Sequence, residues 1–115
     1  MKNNTPISIL NDLTYLEDKP AVKVLLETSF TKEIRILMKK GQKLKKHQTR
    51  FPIVINLVEG KIILGVDSEV LNLTSGDLIA LKGDVPHDLE CIQDCIIRLT
   101  LSTSDDKNRV EKLAK

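Results

Sequence analysis

The sequence predicts an all-β chain, an antiparallel sandwich or barrel with a short C-terminal helix, on three observations. Short runs rich in Ile, Val and Leu alternate with turn signals along the middle of the chain. Those turns recur at close to the roughly 8–12-residue spacing typical of antiparallel sandwiches and barrels. A helical period of apolar residues is absent until the final residues.

The elements follow in order. Val22 to Thr28 and Glu33 to Met38 read as strands. Pro52 to Val58 and Lys61 to Val66 read as two strands joined at Glu59-Gly60, and Glu69 to Leu73 follows a turn at Asp67-Ser68. Asp77 to Lys82 follows Ser75-Gly76, and His87 to Cys91 and Cys95 to Leu101 close the series. Asp105 to Lys115 reads as the short helix, with Ser102, Thr103 or Ser104 as its cap and Asp105 and Asp106 at the positive end of its dipole.

At 115 residues, 1–115 is expected to form one domain. Hydrophobic residues are 41% of the chain, which predicts a packed core, and aromatics only 3%, so that core is built from Ile, Leu and Val. Tyr15, Phe30 and Phe51 are too few for a base-stacking surface, and a net charge of +2 is too mild to argue for nucleic acid. No apolar run approaches the roughly 20 residues of a membrane helix, and no signal core follows Met1. The expectation is a cytoplasmic protein without nucleic-acid or membrane partners. Several strands, such as Ile53-Val54-Ile55 and Ile62-Ile63-Leu64, are apolar on both faces. That pattern calls for a second sheet packed outside or a partner subunit, and a homodimer is the expectation.

Cys91 and Cys95 flank Ile92-Gln93-Asp94. A three-residue hairpin there would set the two side chains opposite each other, within reach of a disulfide. In a reducing compartment two buried thiols are expected instead.

The chain has two histidines, His47 and His87. Gly41 precedes His47 by six positions, and Gly76 opens a segment that ends in Val85-Pro86-His87. This arrangement resembles the two halves of the cupin signature: Gly, five residues, His-x-His, three or four residues, Glu, six residues, Gly; then Gly, five residues, Pro-x-Gly, two residues, His, three residues, Asn. Gly41, His47 and Gly60 match the first half, and Gly76 and His87 the second. Thr49 stands where the second His belongs, Ile53 where the Glu belongs, and Lys82, Asp84 and Cys91 where the Pro, Gly and Asn belong.

The resemblance implies a small single-domain cupin of the conserved-barrel type, a jelly-roll β-barrel. Its motif-bearing part spans about 33–101, with 102–115 as a C-terminal tail. It also implies that His47 and His87 point into the barrel. The cupin metal set of three His and one Glu is half missing, because Thr49 is a poor ligand and Ile53 none at all. Cys91 lies about 13 Å along the strand from His87, too far to complete the set.

The ligand-binding residues expected are therefore His47, Thr49, Ile53, Ile55, His87 and Leu89, with His47 and His87 as the two candidate ligands of a weakly held divalent transition metal. Thr49 shares a strand face with His47 in this reading, as a hydrogen-bond donor or a β-branched filler. If a hairpin pairs Cys91 with Cys95, then Cys95, Ile97, Leu99 and Leu101 face inward with His87, Leu89 and Cys91, and Arg98 faces out. Asp88 and Glu90 point away from His87, so no paired-carboxylate chemistry is expected. The lysines of Lys39 to Lys46 read first as a solvated turn and edge strand; the alternatives are a patch for anionic ligands or nucleic acid, or a guard at the barrel mouth that draws in a small anion.

Three functions fit. The first is a barrel that binds a small molecule. The second is a metal-dependent dioxygenase or isomerase with a reduced two-His site. The third is a ligand-free structural or regulatory dimer.

Overall fold

A computed structural model describes residues 4–102. The expected C-terminal helix lies outside the described residues.

Seven strands form the fold: β1 (Ala21–Glu27), β2 (Thr31–Met38), β3 (Lys43–His47), β4 (Ile53–Val66), β5 (Glu69–Thr74), β6 (Leu78–Leu81) and β7 (His87–Ser102). All pairings are antiparallel. The two longest strands, β4 and β7, pair with each other from Ile53↔Leu101 to Val66↔His87 and form a spine. One end of the spine is flanked by β3 and β5, and the other by β2, β1 and β6. The result is two sheets, β3-β7-β4-β5 and β1-β2-β7-β4-β6, that share two bent strands and close over a common core.

The sequence places turns within both spine strands, and the structure corrects both. Pro52–Val58 and Lys61–Val66 are not two strands joined at Glu59-Gly60 but one strand that bends there. His87–Cys91 and Cys95–Leu101 are likewise one strand, and no hairpin forms at Ile92-Gln93-Asp94. Register shifts between Leu57 and Ile62 mark the corner. Extra residues on one strand of a pair bend it and sharpen its twist, which lets a strand pass from one sheet to the next.

Gly60 permits the bend. Its φ is +108°, and a Cβ there would lie 2.5 Å from the Asp94 carbonyl oxygen and 2.6 Å from Cys95 Cβ. Its N–H donates to Ser75 Oγ at 2.9 Å. Around the same corner Leu57 N–H donates to the Asp77 carbonyl (2.9 Å) and Gly76 N–H to the Leu57 carbonyl (2.7 Å). The β5–β6 connection therefore folds with β4 rather than past it.

Inside, Ile36, Met38, Ile53, Ile55, Leu57, Ile62, Leu64, Leu73, Leu81, Leu89 and Ile97 pack with Cys91 and Cys95. The inward parity expected along β7 holds, and Arg98 is exposed as expected. Both cysteines are free and buried. The Cys91 thiol lies within reach of the carbonyls of Met38 (3.4 Å) and Gln93 (3.3 Å), and its single proton goes to one of them at a time.

Leu37 and Ile96 pair across β2 and β7 and are fully buried, yet they stand outside this inner cluster. Residues 9–17 serve the face they occupy. Arg35, also on that face, is buried, and its guanidinium donates to the carbonyls of Ile9 (3.0 Å), Asn11 (2.6 Å) and Asp12 (3.1 Å). Gln42 Nε2 donates to the Leu16 carbonyl at 2.9 Å, and Lys39 pairs with Glu17. The cover on this face is thus not a second sheet, as the doubly apolar strands suggested, but in part the chain's own irregular N-terminal segment.

Two predictions follow from the corner. Gly60→Ala must displace β7 backbone and is expected to cost about 3 kcal/mol in chemical denaturation. Gly76→Ala also needs a positive φ, +95°, but meets nothing within 4 Å, and is expected to cost only about 1 kcal/mol.

Burial pushes the Cys95 thiol strongly up, helped by the neighbouring Cys91 thiol, and burial raises Cys91 as well. A thiol raised in the fold ionises first in the unfolded chain, so its contribution is complete below the ordinary value of 9.0 and is lost as pH rises past it. Burial raises the Tyr15 phenol too, with the same sign. The urea midpoint is expected to fall between pH about 8 and about 10. A Cys91→Ala/Cys95→Ala double variant should lose most of that slope. Iodoacetamide should modify the folded protein at least about tenfold more slowly than the unfolded chain.

Candidate functional site

β3 carries the sequence Lys43-Leu44-Lys45-Lys46-His47 and pairs on one side with β7. Leu44 is its one partly buried residue and the lysines are exposed, which is the pattern of an edge strand kept soluble by charge. Leu44 pairs with Leu89, but His47 pairs with His87, so β3 has one residue more than β7 over this stretch. Simple alternation from Leu44 would turn His47 outward. The bulge at Lys45-Lys46 reverses that parity and sets His47 on the same face as Leu44.

The two imidazoles meet edge to face, with centroids 4.4 Å apart and planes at 61°. His87 is buried and His47 exposed, so the pair bridges the interior and the surface. Each ring is held by the backbone two residues before it: His47 Nδ1, at the end of β3, lies 2.8 Å from the Lys45 carbonyl, and His87 Nδ1, at the start of β7, lies 3.0 Å from the Val85 carbonyl. A carbonyl only accepts, so Nδ1 carries the proton in both rings. Nε2 is then a lone-pair acceptor whenever the ring is neutral.

Beneath the pair lies a cavity of about 170 Å³ between the two sheets. Its walls are Ile36, Leu44, Ile53, Ile55, Leu89, Ile97, Leu99 and Leu101, and His47, Thr49, His87 and Asp88 border it. All six residues expected from the sequence thus surround one cavity. Ile36 and Leu44 were not singled out in the sequence. Leu44 had a legible signal, being the lone apolar residue among lysines; Ile36 had none that separated it from its strand neighbours.

Two placements differ from expectation. Thr49 is not on the strand with His47 but in the loop after it, where its hydroxyl donates to the Phe51 carbonyl at 2.9 Å. Asp88 borders the cavity, although its carboxylate is directed as alternation requires. A Cβ on Gly65 would lie 2.1 Å from Asp88 Oδ1, so this carboxylate packs over Gly65 of β4. The mouth loops are tied together: Asp84 N–H donates to the Thr49 carbonyl at 2.6 Å, and Gly83 sits so close that a Cβ would lie 2.2 Å from the Arg50 carbonyl oxygen.

The donor set does not fit a closed transition-metal site. Two imidazole Nε2 atoms are present, the Thr49 proton is committed to a backbone carbonyl, and Ile53 offers no donor atom. Among the described residues, no group of three or more His, Cys, Asp or Glu converges. Sites for such ions ordinarily use at least three protein ligands. Among the described residues, no helix is long and apolar enough to cross a membrane.

No protein-family model and no curated protein matches the sequence. Solved structures do match in fold. An RmlC-like cupin from Shewanella frigidimarina is 26% identical, with 89% of this chain and 94% of that one covered and a TM-score of 0.72. An RmlC-like cupin from Desulfovibrio desulfuricans is 19% identical over 89% of this chain and 96% of that one, at a TM-score of 0.75. An RmlC-like cupin with a double-stranded β-helix fold from Methanocaldococcus jannaschii is 14% identical over 95% and 98% of the two chains, at 0.74. With seven antiparallel strands closing on a His-bordered cavity, the chain is a small cupin-type barrel.

Proposed function

We propose that this barrel binds a small, mainly apolar molecule between its sheets, with His47 and His87 as the polar contacts. The observation that carries the reading is the cavity of about 170 Å³, walled by aliphatic side chains and bordered by two imidazoles whose Nδ1 atoms are held by backbone carbonyls. Apolar walls with a few placed polar groups are the usual character of small-molecule sites. The volume lies below the roughly 300 Å³ at the lower end of such sites, which favours a ligand of few atoms.

The metal-dependent reading, a dioxygenase or isomerase, has only the two imidazoles in its support. A ligand-free structural or regulatory role has no observation that favours it over an open cavity. Methyl NMR of the protein under xenon pressure, together with elemental analysis of protein purified without chelator, separates these readings. The expected outcome is xenon-induced shifts at Ile53, Ile55 and Leu89 methyls and well under one metal ion per chain. Stoichiometric metal that disappears in His47→Ala and His87→Ala would establish the metal reading instead. A dry cavity that excludes xenon would favour the ligand-free one.

A homodimer is supported by Val22 and Val24, which are 62% and 48% exposed on the edge strand β1 although they share the inward side of Ile36 and Ile34. Sedimentation velocity is expected to give a dimer, and Val22→Lys/Val24→Lys to shift it to monomer.

A further inference from the structure

The outer face of the barrel carries a row of like charges. Lys23 of β1 pairs with Arg35 of β2, Arg35 with Arg98 of β7, and Arg98 with Asn56 of β4, so three cations stand side by side on neighbouring strands. Paired strands lie about 4.8 Å apart, and like charges set directly opposite one another repel. Arg35, in the middle, is buried and bound to carbonyls alone, and its Nε meets no acceptor among the described residues. Lys23 and Arg98, on either side of it, are exposed. Among the described residues neither makes a hydrogen bond or an ion pair.

Arg98 borders a groove of about 400 Å³ on this face, which shares no residue with the interior cavity. Its apolar walls are Ile7 and Ile9 of the N-terminal segment, Leu25 and Leu26 of β1, and Val58 of β4. The other polar side chains that border it are engaged. Glu33 Oε1 accepts from the Thr100 hydroxyl at 2.6 Å, and Asn56 Nδ2 donates to the Asp77 carbonyl at 3.2 Å. The groove therefore sets an unpaired guanidinium beside aliphatic walls. Its volume falls within the roughly 300–1,000 Å³ of small-molecule sites.

These features choose among ligand classes. An ammonium group would add to the positive charge of the row. A neutral chain would cover the walls and leave the guanidinium unpaired. A phosphate would bring a doubly negative charge beside Glu33 and no carbon body for the walls. A carboxylate matches the guanidinium fork through two parallel hydrogen bonds, and an aliphatic chain behind it covers the walls.

We infer that this groove is a second binding site, for an aliphatic monocarboxylate whose head pairs with Arg98 and whose chain lies along Leu25, Leu26 and Val58.

The test titrates the full chain with hexanoate, hexanol and acetate in turn, with methyl spectra to locate each. Hexanoate is expected to shift the methyls of Ile7, Leu25 and Val58. It should bind at least about tenfold more tightly than hexanol, which lacks the charge, or acetate, which lacks the chain. Arg98→Gln, at an exposed position, should remove the preference for hexanoate over hexanol and leave hexanol binding as it was. Equal binding of hexanoate and either comparison ligand, an unchanged preference in Arg98→Gln, or hexanoate shifts confined to Ile53, Ile55 and Leu89 overturns the inference. So do shifts at Ile7, Leu25 and Val58 that follow protein concentration alone, which would give the groove to a second copy of the chain.

Discussion

The close approach of β4 to β7 at Gly60 is the contact on which the rest of the barrel depends. Two strands as long as Ile53–Val66 and His87–Ser102 cannot stay straight and enclose a core. They must bend together, and bending together brings one backbone onto the other. At the corner the β7 carbonyls of Gln93 and Asp94 occupy the space that a Cβ on residue 60 would need. Glycine removes that Cβ and supplies the positive φ of +108° in one residue. Everything beyond the corner inherits the geometry. The spine carries Leu89 and His87 at one end and Ile97 to Leu101 at the other, and the cavity exists because these two stretches face each other across the bend.

The outer face solves a different problem. Leu37 and Ile96 need cover, and the chain provides it with residues that have little secondary structure of their own. Such a segment brings backbone carbonyls with it. Arg35 meets three of them with a planar fork of donors, and no carboxylate stands among the partners found for it. A buried guanidinium held by carbonyls alone adds little net stability, since its desolvation offsets much of what the hydrogen bonds contribute. What it adds is position: three acceptors from Ile9, Asn11 and Asp12 fit the fork only when the segment lies in one register.

Much of this was legible in the sequence, and the failures have one cause. Alternation grouped Ile53 with Ile55, His87 with Leu89, and Ile97 with Leu99 and Leu101; joining the groups in one interior rested on the motif positions and on a Cys91–Cys95 hairpin that does not form, and the parity survives because the continuous strand keeps both cysteines inward. The motif spacing added His47, which alternation from Leu44 would have sent outward. The errors fell where the strands bend. Glu59-Gly60 and Ile92-Gln93-Asp94 carry the local marks of a turn: a glycine in one case, and two cysteines spaced by three residues in the other. A bulge at a barrel corner leaves the same marks. Whether the chain reverses or continues is decided by the strand it pairs with, and that partner is distant in sequence. The bulge at Lys45-Lys46 is invisible for the same reason, as its only record is the mismatch between β3 and β7 register.

That small bulge also decides the chemistry open to the site. With both histidines turned to one face, each ring is fixed through Nδ1 by a carbonyl two residues earlier in its own chain segment. Orientation is thus supplied locally by the backbone. A metal centre needs its ligands to converge from several strands, and here the positions that would complete it hold a hydroxyl bonded to its own loop and an aliphatic side chain. The isoleucine at position 53 does more than withhold a ligand. It extends the apolar wall up to the imidazoles, so the polar atoms lie at the rim and the interior below them is hydrocarbon. Two rings held by their own backbone thus stand over a wall of aliphatic side chains, an arrangement set by one bulge and one isoleucine.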